Sequence, residues 1–276
     1  MINIIIDDQS VSSPIRINFK EGGTHMFINL KISRRILSLV GIFFLLLLGI
    51  ITERWIIGSN ISASKPIEQV KTDRLVMALT INVDWGEEFI PAILDELDEG
   101  NARATFFVTG RWAKKNPDFL KMIFSRGHQI ENHGYSHPHP DQLSVKANQE
   151  EIQKTESIIE GIIGRKTHLY APPYGEKGTS GLSAAKGLNY KTILWTLDTV
   201  DWRADSTPEI IAQRIINPVM RFGIKPNKSG AIILMHPKAN TVRALPVILK
   251  QLALQGYIFQ SLDELITYDQ SGDTTS

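Results

Sequence analysis

Three uncharged, apolar runs limit this chain to few folds: Leu75 to Ile81, Ala104 to Thr109 and Ala231 to Met235. Each is of strand length and apolar throughout, the pattern of strands buried on both faces of a parallel sheet. Between them the apolar spacing changes to a helical period. Ile90, Ile93, Leu94 and Leu97 form one stripe over Glu88–Glu99, and Phe119, Leu120, Ile123 and Phe124 form another over Pro117–Arg126, with Gly127 placed to end it. Further helices are expected over Ser144–Ile163, from Thr207-Pro208-Glu209 to Arg221, and over Thr241–Gln255. Short strands are expected at His128–Glu131, near Leu169, at Thr192–Trp195 and at Tyr257–Gln260, and Ser261 to Glu264 has the form of a capping box. Regular alternation of strand and helix predicts an α/β fold, nearer in repeat count to a (β/α) barrel than to a small open sheet. Chemistry in such folds belongs at the carboxyl ends of the strands.

The amino-terminal quarter has a different character. From Ile36 to Thr52 the chain carries no charge, and Lys31, Arg34 and Arg35 precede it. With Trp55, Ile56 and Ile57 beyond Glu53-Arg54, residues 36–57 read as a single-pass transmembrane signal anchor. Positive charge on its amino-terminal side places everything after it outside the cytoplasm. Residues 1–35 are then a cytoplasmic tail, with two starts open, Met1 or Met26, the second of which opens a short basic leader. Residues 58–74 are expected to be a linker, 75–267 a globular domain and 268–276 a disordered tail. The chain has no cysteine, so disulfides and thiolate metal sites are excluded and any metal needs imidazole and carboxylate. With 30 basic against 29 acidic residues, nothing in the charge favours nucleic acid as a partner.

Functional residue types gather just after the expected strands. Asn82-Val83-Asp84-Trp85-Gly86 follows the first, and His133-Gly134-Tyr135-Ser136-His137 follows the third. Ala171-Pro172-Pro173-Tyr174-Gly175, then Asp198 and Asp201-Trp202, and finally His236 complete the series. His133 and His137, four apart in a loop stiffened by Pro138 and Pro140, have metal-ligand spacing for an ion that prefers imidazole, such as zinc. Carboxylates and imidazoles collected at strand ends are the usual composition of an active site.

In this order the five motifs resemble those of the NodB-homology domain of polysaccharide deacetylases, carbohydrate esterase family four. The resemblance covers Leu75 to Ile266, about seven-tenths of the chain. The Trp85-Gly86 form of the first motif is similar to a sporulation-associated subgroup of Gram-positive bacteria, and Asn82-Val83 to its uncharacterised, degenerate branch. The resemblance implies a distorted (β/α) barrel that removes acetyl groups from N-acetylated glycans such as peptidoglycan. It implies a divalent metal, zinc being the expected one, that polarises the amide carbonyl. His133 and His137 match the metal imidazoles, His236 the acid that protonates the leaving amine, and Asp201 the carboxylate that orients it. Trp85, Tyr135, Pro173, Tyr174 and Trp202 are the expected substrate-binding residues.

Three departures accompany the resemblance. The family's first motif has adjacent carboxylates, base then ligand, where this chain has Asn82 and Val83, with Asp84 one residue later as the substitute ligand. An amide accepts no proton at neutral pH, and valine binds no metal. The arginine that opens the third motif and braces the base is Ala171 here. Two functions therefore stand side by side: a membrane-anchored, metal-dependent deacetylase of cell-wall glycan with an altered first motif, and an inactive relative that binds glycan through the same groove.

Overall fold

The computed structural model describes residues 3–5, 15–21, 24–30, 38–46, 65–219 and 226–269. The chain divides into two compact units, residues 1–61 and 62–276. In the first, β1 (Asn3–Ile5), β2 (Ile15–Glu21) and β3 (Thr24–Leu30) form an antiparallel sheet in which Phe19 pairs with Met26. The expected anchor, 36–57, is described only as a helix, α1, at 38–46, where Leu39, Phe43, Phe44 and Leu46 are exposed. The rest of the anchor lies outside the described residues, among which no helix is long and apolar enough to cross a membrane.

The second unit is built on β4 (Val76–Val83), flanked by β5 (Ala104–Val108) and β10 (Ala231–Met235). Beyond β5 come β6 (Gln129–Asn132), β7 (Leu169–Tyr170) and β8 (Lys191–Thr192), and β9 (Leu197–Asp198) lies outside β10. β11 (Ile258–Phe259) pairs with the start of β4, and every pair in this sheet is parallel. The outer face carries α2 (Ile90–Glu99), α4 (Pro117–Ser125), α5 (Val145–Ile163), α7 (Pro208–Ile216) and α8 (Ala239–Leu254). Two short helices lay outside the sequence expectations: α3 (Gly110–Lys115), directly after β5, and α6 (Thr179–Gly187). α7 stops at Ile216, five residues before the expected end.

The strands are buried on both faces, and β4 shows how the faces divide. Met77, Leu79, Ile81 and Val83 pack with the helices on the outside, while Val76 and Ala78 face an inner cluster with Phe107, Leu169, Ala171 and Ile232. This is the two-residue alternation of a pleated strand. α9 (Leu262–Ile266), opened by the expected capping box of Ser261 and Glu264, puts Leu262 and Leu265 into that inner cluster. The Leu262 amide donates to Thr105 Oγ1 at 2.9 Å, near the amino end of β5. One end of the curled sheet is thereby plugged, leaving the carboxyl ends open.

The sheet is a curled half-barrel whose edges are β8 and β9, and the expected linker lies in the gap between β8 and the start of β10 that β9 leaves uncovered. Ile67 bridges to Ile193 and Gln69 to Ala231. The Ile67 amide donates to Thr192 O and the Leu194 amide to Ile67 O, both at 2.9 Å, and the Val70 amide donates to Gly230 O at 2.9 Å. Val70 is buried. The domain therefore begins near residue 65 and not at 75, because an aperiodic stretch can satisfy unpaired strand edges with its backbone while Val70 and Ile67 add to the inner cluster. At the other end Tyr268 is ordered beneath the Arg74 guanidinium, 4.7 Å from the ring centre, so the expected tail starts later than 268. A domain starting at Leu75 should be less stable than one starting at Ser62 by roughly 3 kcal/mol or more. That sum takes one buried valine at ~1.5–3 kcal/mol and three backbone hydrogen bonds at ~0.5–1.5 kcal/mol each. Urea unfolding of the two chains checks it, and equal midpoints would contradict the closure.

Candidate active site

At the open end a cleft of about 530 Å³ is lined by Asn82, Asp84, Trp85, His133, His137, Tyr174, Trp195, Asp198, Trp202 and His236. The alternation in β4 supplies the first contributions. Asn82 has the parity of Val76 and Ala78 and faces inward, Val83 faces the core outside, and Asp84, just past the strand, faces inward again. Asp84 therefore reaches the site that Val83 turns away from. Asn82 is 7% exposed, and its buried Oδ1 has no hydrogen-bond partner.

His133 follows β6 directly and is buried. Its Nδ1 lies 2.7 Å from the Ala171 carbonyl, which can only accept, so Nδ1 carries the proton and Nε2 keeps its lone pair. Burial, aided by His137, pulls this imidazole down to about 3. His137 is half-buried with its ring centre 5.0 Å from that of His133, and burial lowers its pKa too. Its φ of 56° is left-handed, as are the φ values of Tyr174 at 59° and the β-branched Val200 at 50°. Side-chain-bearing residues held there cost of order 1–3 kcal/mol each and cluster at functional sites. The loop is tied down by Glu151 of α5, whose Oε2 accepts from the amides of Tyr135 at 2.9 Å and Ser136 at 2.7 Å.

Across the cleft, Asp201 is buried after β9 and holds His236 after β10. Its Oδ1 lies 2.8 Å from His236 Nδ1, and its Oδ2 accepts from the His236 amide and from Thr241 Oγ1, each at 2.7 Å. An ionised carboxylate only accepts, so the proton is on Nδ1 and Nε2 is the working atom. Trp85 stacks on His236 with planes 11° apart.

Asp84 is paired. Arg111 Nε donates to Asp84 Oδ1 at 2.7 Å, Arg111 Nη2 donates to Oδ2, and Thr109 Oγ1 also donates to Oδ1 at 2.7 Å. Burial opposes ionisation of Asp84, but the bonds from Arg111 and Thr109 outweigh it and its pKa is lowered. His133, His137 and Asp84 bring two neutral imidazoles and one ionised carboxylate to one cleft, donor types that suit a divalent ion. With Asp84 turned to Arg111, their ligand atoms are not all within 4.8 Å of one another. A ring nitrogen hydrogen-bonded to a carbonyl, as in His133, is the usual support of a metal-binding histidine. Among the described residues the three groups with ligand atoms all within 4.8 Å are others, Glu131, His168 and Asp263. That trio is engaged with itself: His168 Nε2 lies 2.8 Å from Asp263 Oδ1, and Glu131 Oε2 accepts the amides of His168 and Leu169. We read it as a staple between the sheet and α9.

Two expected contact residues are elsewhere. Tyr135 lies under Lys154, whose Nζ is 3.4 Å from the ring centre, because Glu151 draws its backbone towards α5. Pro173 is buried beside Gly134, and Tyr174 after it meets the cleft. Arg111, Thr109 and Glu151 were missed. The strand-end rule, applied to β5 as to its neighbours, points to Thr109 and Arg111.

His128 is also buried, and burial lowers its pKa to about 4. An unfolded chain protonates both His128 and His133 near pH 6.5, so between 6.5 and 4 these two bind up to two more protons unfolded than folded, and His137, also lowered, adds in the same direction. Stability must then fall as pH falls, His128 and His133 together contributing up to ~2.7 kcal/mol per pH unit at 1.36 kcal/mol per proton. His168, raised by its bond to Asp263, acts oppositely, losing its contribution as pH rises through its folded pKa. Urea unfolding at pH 7, 5.5 and 4.5 should show the decline, and His128→Gln should make it shallower by up to ~1.4 kcal/mol per pH unit.

The polysaccharide deacetylase family model matches residues 69–193. The uncharacterised Bacillus subtilis (strain 168) protein YlxY is 33% identical over 73% of this chain and 60% of its own length, so the match spans about three fifths of that relative. A Bacillus cereus peptidoglycan-N-acetylglucosamine deacetylase is 35% identical over 68% of this chain and 67% of its own. The Bacillus subtilis peptidoglycan-N-acetylmuramic acid deacetylase PdaA is 30% identical over 71% of this chain and 73% of its own. Among solved structures, a CE4 family pseudoenzyme from Bacillus anthracis has a TM-score of 0.67 at 29% identity, covering 96% of this chain and 88% of its own. A mutant of that pseudoenzyme has restored enzymatic activity and matches with a TM-score of 0.67 at 28% identity over 96% of this chain and 91% of its own.

Proposed function

This chain belongs to the polysaccharide deacetylase family, hydrolases of N-acetyl amide bonds, and from that premise we propose that it recognises N-acetylated cell-wall glycan of the peptidoglycan type with little or no turnover. The observation that carries the reading is Asn82, buried in the cleft with an unpartnered amide oxygen where the family has its base. The acid half of the machinery is intact: His236 is oriented by Asp201 and presents Nε2 to the cleft, fit to protonate a leaving amine. The base half is not. Asn82 takes no proton from water, and Ala171 supplies no arginine to brace a base.

His133, His137 and Asp84 would hold the divalent ion, expected to be zinc, and its chemistry there is Lewis-acid polarisation of an amide carbonyl. The flat faces of Trp85, Tyr174 and Trp202, all exposed at the cleft, suit sugar rings. Similarity to a pseudoenzyme over nearly the whole chain supports the same reading. We further propose that segment 36–57 anchors the domain in the cell membrane with the cleft outside, on the strength of the charge-free run behind Lys31, Arg34 and Arg35.

Acetate release from N-acetylglucosamine oligomers, with and without chelator, tests the function. Loss of a general base costs ~10²–10⁴ in rate, so the parent should fall short of Asn82→Asp/Ala171→Arg by that order. Val83 stays untouched in this design, since an aspartate there would enter the core. A parent as active as the double variant would refute the reading and turn attention to Asp198, which also lines the cleft. In that case Asp198→Asn should abolish turnover.

A further inference from the structure

Arg111 is built into the site by its backbone as well as its side chain. Its amide donates to Tyr135 O at 3.0 Å, and the Gly110 amide donates to Gly134 O at 2.9 Å, so the first turn of α3 is fastened to the loop that carries His133 and His137. Thr109, the residue before α3, bonds Asp84 through the hydroxyl that also caps α3 at the Trp112 amide. The guanidinium then meets the carboxylate with two of its nitrogens, the fork geometry that makes arginine–carboxylate pairs directional. The carboxylate is largely buried, with 10% of its side chain exposed, whereas the guanidinium is half-exposed and has solvent to retreat into.

We propose that Arg111 competes with a divalent ion for Asp84, so that the guanidinium is the resting partner of the carboxylate and the ion binds only as Arg111 lets go. Both oxygens of Asp84 accept from Arg111, so neither offers a free lone pair in the guanidinium's direction without breaking a charge-assisted bond. A dication entering beside the guanidinium also meets its positive charge at short range. Arg111 therefore sets metal affinity without contacting the metal. Glycan held by the aromatic faces and Asn82 would then need no ion for binding. The inference rests on His133, His137 and Asp84 being the ligand set.

The test is titration of the full chain with Co²⁺ and Zn²⁺, read by equilibrium dialysis and by the visible absorption of bound Co²⁺. Arg111→Gln should bind either ion on the order of tenfold more tightly than the parent, the size of effect usual for a group that acts on a metal ligand from outside. Arg111→Lys, which keeps the charge but not the fork, should fall between. In the Arg111→Gln background Asp84→Asn should cancel the gain, and circular dichroism should show the variants folded. Equal affinities in parent and Arg111→Gln would overturn the proposal while leaving the ligand set standing, whereas a gain that survives Asp84→Asn would overturn the proposal and remove Asp84 from the ligand set. If parent and variant both bind no ion, or bind one that His137→Ala does not release, the ligand set itself is wrong and the proposal falls with it. Glycan binding by the parent, measured in chelator, reports on the recognition reading separately.

Discussion

The pleat of one buried strand governs the site. β4 has neighbours on both edges and is covered on both faces, so each of its side chains has only two places to go: the helical layer outside or the curled interior. Parity decides between them. Val83 goes to the core although it occupies a position where the family has a carboxylate, and Asn82 and Asp84 go to the cleft. A one-residue shift of function along the strand is thus a change of face, and Asp84 serves the cleft because it is two residues from Asn82 and not one.

The remainder of the fold makes that cleft the open end. α9 fills the amino end of the curl, and the 65–70 segment satisfies the backbone edges that β8 and β10 would otherwise expose. Loops at the carboxyl ends then carry three of the five non-glycine residues with left-handed backbone among the described residues, Asn101 and Asn189 being the others. His137, Tyr174 and Val200 all have positive φ, and all lie in the segments that bring His137, Tyr174, Asp201 and Trp202 to the site. Such conformations persist only where surrounding contacts over-determine them, here Glu151 on the histidine loop and Thr241 with the His236 amide on Asp201.

Electrostatically the cleft is quiet. Burial keeps His133 and His137 neutral, Arg111 balances Asp84, and Asp201 is absorbed by His236, Thr241 and a backbone amide. An active site of this family needs a carboxylate at the base position, and the neutral amide of Asn82 removes both the charge and the proton acceptor. The aromatic walls and the unpartnered amide oxygen at the base position are the features on which the proposed recognition of an acetamido sugar rests.

Much of this was legible in the chain alone. Apolar runs of strand length and 3.6-residue stripes fix local structure by burial, which depends only on neighbours in sequence, so β4, β5, β10, α2, α4, α5 and α8 could be read within a few residues. That the His133/His137 loop, Trp85 and His236 meet at one cleft, with Asp201 on His236, could be read because they all follow strands of one parallel sheet. Other contacts between segments distant in sequence were not legible. The stretch 65–70 has no period of its own and closes against β8 and β10 through its backbone, the buried Val70 and the Gln69 side chain, Tyr135 is drawn to α5 by Glu151, and α3 brings Arg111 onto Asp84. Those outcomes depend on which backbone groups and charges the completed curl sets side by side, a matter of three-dimensional distance that local patterning does not encode.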